Sequence, residues 1–333
     1  MLKDTLRDKI RDYALEKKVY SELNMNKNFK VNFLAQGEYN VNFIIYDERK
    51  KYVFRVNTGS QLGLENQITY EYNALKALEI SSVTPKVYFV DDTKEVFDYG
   101  ILIMEFLEGE PLRYDRDLQR AAKIFGRIHS MDIKPISNDF IIEESICSDR
   151  VSEGRRLLKN YLESPIVDKK LKDFFHWFLK WAEDNKQREK YFIKDKWHVI
   201  NNTEVNSHNF IIGNEKSYLI DWEKPVISDP CQDLSQFLAV TTTRWKTNHT
   251  LSKNEIDSFY RAYSQGLGGK DNNIRERVHL YTPYLYLRAL SWCAHGWIEY
   301  QRPDKEIKNM DTFRKIEQYL DIEFMKKLLE GYI

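Results

Sequence analysis

The chain has 333 residues, enough for two domains and a sizeable buried core. Lys plus Arg and Asp plus Glu stand at 51 each, so there is no basic excess of the kind nucleic-acid binding requires. The three cysteines, Cys147, Cys231 and Cys293, are odd in number and far apart, which argues against a disulfide scaffold or a zinc site and fits a reduced compartment.

The N-terminal stretch is charged and amphipathic and lacks the apolar centre of a signal peptide. No run approaches the roughly 20 apolar residues of a membrane span. The expectation is a soluble, cytoplasmic protein, monomer or homodimer, with no membrane or nucleic-acid partner. Residues 1–28 pattern as two helical pieces. Residues 31–46 alternate with a break at Gln36-Gly37, and residues 51–56 give another short strand. Residues 64–78 carry Ile68, Tyr72, Leu75 and Leu78 on one helical stripe, and strands follow at 86–90 and 100–104. This predicts a small antiparallel sheet with one helix across it.

Beyond Phe106 the pattern is helical: a stripe through Leu118, Ala122, Phe125 and Ile128, then helices over 161–190, 254–266, 278–300 and 310–331. The fold class is α+β. A nucleotide-binding lobe over 1–105, with the helical extension 1–28, precedes a mostly helical lobe over 106–333, and the hinge falls at Met104-Glu105-Phe106-Leu107.

The chemistry concentrates between Asn202 and Asp233. Glu204 lies five residues before Asn209, and Asp221 follows twelve residues after Asn209, at the end of Ser217-Tyr218-Leu219-Ile220. One carboxylate orients an acceptor hydroxyl, and an amide and a second carboxylate hold Mg²⁺ on nucleotide phosphates, in sites spaced this way. Upstream, Gly37 and Asn40 sit in a strand-connecting loop where a glycine lets the backbone approach phosphate, although turns use the same residues. Arg55 on the third strand is a cation for the phosphates, and Glu71 on the next helix is its partner; taken singly, each has an ordinary surface reading. Asp229 and Asp233 read as structural: an acid at a helix start caps it and accepts N–H bonds from a neighbouring loop, with Pro230 in the first turn. His176, His198 and His208 make no metal-ligand spacing.

The ordered set resembles the aminoglycoside phosphotransferase and choline kinase superfamily of small-molecule kinases, over roughly residues 30–300. The resemblance implies a protein-kinase-like two-lobed fold that takes ATP or GTP with Mg²⁺. On it, Gly37 to Asn40 correspond to the phosphate loop, Arg55 and Glu71 to the strand cation and helix acid, and Glu105 and Phe106 to the adenine-binding hinge. Ile128-His129-Ser130 matches the end of the first helix of the large lobe. Asn202-Thr203-Glu204 with Asn209 matches the catalytic loop, with Glu204 as the hydroxyl-orienting base, and Asp221 is the metal acid. Ser228-Asp229-Pro230 and Asp233-Leu234 complete the match. Two positions depart: Glu204 stands where the family has Asp, and Asn202 where it has His.

Two function classes follow. The first is a kinase acting on a hydroxyl of an amino sugar, amino alcohol or sugar-like molecule. The second, resting on Asn202 and Glu204, is a nucleotide-binding sensor or scaffold with little transfer. A protein-directed kinase fits less well, because only seven residues separate Asp221 from Asp229, too few for an activation segment. For the acceptor pocket the candidates are Trp292, Trp297, Glu299 and Tyr300, with Asp304 nearby, a set suited to a cationic amine and equally to aromatic core packing. Residues 241–245 form either a polar substrate loop or a helix cap and linker.

Overall fold

The computed structural model describes residues 2–60, 62–269, 272–303 and 309–333. Two compact units result: residues 1–112 with 134–141 and 209–225, and residues 113–133 with 142–208 and 226–333. The division therefore differs from a single cut between 105 and 106. The reason is strand pairing: a hairpin formed after Asn209 joins the chain just beyond Glu105.

In the first unit, helices α1 (Leu2–Glu16) and α2 (Val19–Glu22) precede strands β1 (Lys30–Gln36), β2 (Asn40–Tyr46) and β3 (Lys51–Asn57). Helix α3 (Gln67–Leu78) and strands β4 (Val87–Asp91) and β5 (Gly100–Glu105) follow. The five strands form one antiparallel sheet in the order β1-β2-β3-β5-β4. Phe43, Phe54, Ile101 and Ile103 point to one face, where Leu6, Ile10 and Tyr13 of α1 and Phe97 cover them. The other face of β3 carries Arg55, which is buried. This is the expected sheet, and α1 and α2 are the expected two helical pieces.

A second sheet of this unit has the order β6-β8-β9, from β6 (Glu110–Pro111), β8 (Phe210–Ile212) and β9 (Ser217–Leu219). The Leu219 amide donates to the Val83 carbonyl at 2.9 Å. Gly109, with φ of +156°, sits where a Cβ would lie 2.7 Å from the Ile212 backbone, so this crossing requires glycine.

The second unit contains helices α4 (Tyr114–His129), α5 (Ile146–Glu163), α6 (Lys169–Asn185), α7 (Glu189–Lys194), α8 (Cys231–Leu238) and α9 (Val240–Lys246). Helices α10 (Lys253–Gly266), α11 (Ile274–Gln301), α12 (Met310–Tyr319) and α13 (Ile322–Leu329) complete it, and β7 (Val199–Asn201) pairs antiparallel with β10 (Val226–Ser228). Helix α11 packs along α5 and against α8 and α12. The expected helix over 161–190 is in fact the end of α5, then α6 and α7. Pro165 interrupts it, and the Asp168 side chain caps α6 by accepting from the Lys170 amide at 2.7 Å. The expected helix over 310–331 likewise breaks at Leu320-Asp321, where Asp321 caps α13.

Helices α4 and α10 cross at Gly126 and Gly266. A Cβ on Gly126 would lie 2.7 Å from the Gly266 Cα, against backbone that cannot rotate away. Gly126→Ala is therefore expected to destabilise the protein by about 1–3 kcal/mol or more, read as a lower thermal midpoint, although alanine is the better helix former.

Candidate active site

Arg55 is the centre of the first unit's polar network. Its Nε donates to Asn42 Oδ1 at 3.0 Å, and its Nη1 pairs with Glu71 and lies 3.4 Å from Asp221 Oδ1. Burial works against the guanidinium charge, but Glu71 and Asp221 more than offset it and hold the Arg55 pKa above its ordinary value. Burial pushes the Glu71 carboxyl up against the pull of Arg55. The order strand cation, helix acid, late acid is thus realised as contacts.

The β8–β9 hairpin sets the position of Asp221. Phe210 pairs with Leu219, and the Ile220 amide donates to the Asn209 carbonyl at 2.8 Å, so the residue before Asp221 is tied to Asn209. Asp221 takes φ of +64°, a left-handed conformation that Asp tolerates better than most residues. Buried Trp222 anchors the turn through Nε1, which donates to the Leu219 carbonyl at 2.9 Å.

Glu223 was not singled out as a site residue from sequence. Its side chain accepts from Asn40 Nδ2, its carbonyl accepts from Gln67 Nε2 at 2.6 Å, and Asn57 Nδ2 donates to Asn40 Oδ1 at 2.9 Å. Carboxylate oxygens of Asp221 and Glu223 lie within 4.8 Å of one another. The only signal in the sequence was an acid two residues after Asp221. Asn40 is therefore a buried structural clamp at the start of β2. Its carbonyl accepts the Gly37 amide at 2.9 Å, closing the β1–β2 turn. Gly37 has ordinary φ, and a Cβ there would meet only the Asn40 carbonyl oxygen at 3.9 Å. Neither conformation nor packing demands glycine at 37. Glu105 ends β5 with its amide on the Lys86 carbonyl at 2.8 Å, and Lys51 Nζ sits 3.9 Å from the centre of the Phe106 ring.

In the second unit, β7 leads into Asn202-Thr203-Glu204. The Asp233 carboxylate, near the start of α8, accepts the Asn202 and Thr203 amides at 2.8 Å each. Thr203 takes φ of +67°, and Asn202 Oδ1 accepts the Glu204 amide at 3.0 Å. Asn202 thus shapes the loop from the position where a His was expected. The His129 ring is bonded through Nδ1 to the Tyr263 hydroxyl at 2.9 Å, with Nε2 3.8 Å from Asp233 Oδ2. Asp229 accepts the Cys231 amide at 3.0 Å and pairs with buried Arg277. Both acids take the structural work expected of them.

The sequence profile of a phosphotransferase enzyme family matches residues 30–281. The chain belongs to that family. By membership this protein is a phosphotransferase enzyme. No curated protein matches it. Solved structures share its fold at low identity. A Ralstonia eutropha protein assigned as an aminoglycoside phosphotransferase superposes with a TM-score of 0.70 at 14% identity, covering 95% of this chain and 98% of that one. A choline/ethanolamine kinase family protein from Mesorhizobium loti gives 0.60 at 16% identity, with 95% of each chain covered. A spectinomycin phosphotransferase solved with ADP and spectinomycin gives 0.59 at 16%, covering 91% of this chain and 92% of that one.

In the phosphotransferase the four proposed acceptor residues lie on α11, where each of the three rings meets another ring and Trp292 stays exposed. Trp292 meets Trp245 edge-on at 5.5 Å, Trp297 meets Tyr161 at 5.8 Å, and Tyr300 stacks on Phe313 at 5.0 Å. Glu299 lies 3.4 Å from Arg302. Asp304 is outside the described residues. Residues 241–245 are helical within α9 rather than a loop. A cavity of about 430 Å³ lies between α9 and α12, and none of the four lines it. Among the described residues no helix is long and apolar enough to cross a membrane.

Proposed function

We propose that this phosphotransferase moves the γ-phosphate of ATP or GTP to a hydroxyl of a small molecule, an amino sugar, amino alcohol or sugar-like acceptor. The observation that carries the reading is the buried Arg55 guanidinium, held by Glu71 and reaching Asp221. In this reading Arg55 grips the nucleotide phosphates, and Glu105 and Phe106 border the base. The space above Gly37, where a side chain would fit but none stands, admits the phosphate tail. The donor set fits Mg²⁺: hard oxygens of Asn209 and Asp221, with the Glu223 carboxylate close to Asp221. When bound, the ion offsets the charge that builds on the phosphate oxygens.

Glu204 orients the acceptor hydroxyl and takes its proton as the new oxygen–phosphorus bond forms. The bond from the γ-phosphorus to the bridging oxygen breaks, and the nucleoside diphosphate leaves with that electron pair. The test is nucleotide consumption across a panel of hydroxylated acceptors. Activity should vanish on chelation of Mg²⁺ and fall about a hundredfold or more in Asp221→Ala. Turnover that persists without Asp221 would refute the assignment. The second reading, a nucleotide-binding protein with little transfer, rests on Glu204 and Asn202 standing at the two departing positions. Nucleotide binding with no turnover on any acceptor would favour it.

A further inference from the structure

The 430 Å³ cavity has the size of a small-molecule site. Its lining includes Trp245, Lys246, Asn309, Asp311, Arg314 and Lys315, three cations against one acid, and that acid lies 3.4 Å from Arg314. Lys246 and Lys315 have no ion-pair partner among the described residues. Burial and the nearby Arg244 hold Lys315 below its ordinary pKa. Helix α9, which supplies Lys246, follows directly on α8, whose Asp233 holds the catalytic loop. Lys246 also lies within electrostatic reach of His208, four residues beyond Glu204.

We propose that this cavity is the acceptor pocket and takes a hydroxylated anion, a carboxylate or a phosphate monoester, rather than a cationic amine. The inference rests on the phosphotransfer reading and narrows its acceptor. Lys246, Lys315 and Arg314 bind the anionic group, Trp245 offers an apolar wall to the carbon skeleton, and the free hydroxyl is left for phosphorylation. The nominated amine-binding acid, Glu299, is beside Arg302 instead.

The experiment is calorimetric titration of the full chain with D-gluconate, glycerol 3-phosphate, choline and glucosamine, followed by nucleotide-consumption kinetics with whichever binds. At least one of the two anions should bind at millimolar concentration or below, and which one does separates carboxylate from phosphate recognition. In Lys246→Ala/Lys315→Ala its KM should rise about tenfold or more with kcat little changed, and Lys246→Arg/Lys315→Arg should restore it. Binding of choline or glucosamine in preference, binding of neither anion, or an unaltered anion KM in the double alanine variant would overturn the proposal. A thermal midpoint checks that the variant folds, and exposed Lys246→Ala alone serves if it does not. Calorimetric binding needs no turnover. An anion that binds without being phosphorylated therefore counts against the transfer reading and leaves the pocket's charge preference standing.

Discussion

Glu204→Gln is expected to lower kcat by about 10²–10⁴ while leaving nucleotide affinity near its starting value. The change keeps the side chain's size and removes its charge and basicity, and Asn202 and Asp233 hold the loop's backbone. Asn202 Oδ1 takes the Glu204 amide, and Asp233 takes the two amides before it. The informative partner is Glu204→Asp, which restores the residue type of related kinases. If the pocket is shaped around the longer side chain, the shorter one withdraws the carboxylate by about an ångström, and a displacement of that size costs about 100-fold. Both variants should therefore be slower than the parent, Gln more so. An Asp variant faster than the parent would mean that Glu204 is misplaced in this chain. A Gln variant at parental speed would remove Glu204 from the chemistry. Steady-state rates with nucleotide titrations in parallel decide among these.

What could be read from sequence was what depends on local pattern and chain order. The alternation of β2 and β3, the helical stripe of α3 and the order Arg55, Glu71, Asp221 suffice to predict the first unit's sheet and its buried ion pair. The joint role of Asn209 and Asp221 was read from spacing alone, and the β8–β9 hairpin ties Asn209 to Ile220. Strands of two or three residues such as β6, β7 and β10 carry too little periodicity to be seen, and the pairing of β6 with β8 is what draws residues 209–225 into the first unit. Asn40 and Glu223 are 183 residues apart, and no local pattern announces their bond. The basic cavity was invisible for the same reason, since its walls come from α9 and α12. The aromatic run on α11 was legible as rings but not as partners. Tyr161, Trp245 and Phe313, which meet those rings, lie on other helices, and Trp292 stays exposed.

Asp233→Ala is expected to lose stability and rate together. Its buried carboxylate satisfies two backbone amides, of which the Asn202 amide belongs to a fully buried residue. Removing it leaves both N–H groups without that acceptor at about 1–3 kcal/mol each, or several degrees of thermal midpoint for a unit of this size. Thr203, at positive φ, depends on the same carboxylate for its conformation, so the loop carrying Glu204 should shift and kcat should fall about 100-fold. Asp233→Asn keeps one acceptor oxygen and turns an N–H₂ toward the second amide, so it should fall between parent and alanine in both measurements. His129→Phe should be milder in rate, because His129 Nε2 stands 3.8 Å from Asp233 and its hydrogen bond goes to Tyr263. The contrast with Glu204→Gln separates the two roles: that variant should melt like the parent while losing rate, whereas Asp233→Ala should lose both. A thermal midpoint unchanged in Asp233→Ala would show that the catalytic loop keeps its shape without this carboxylate.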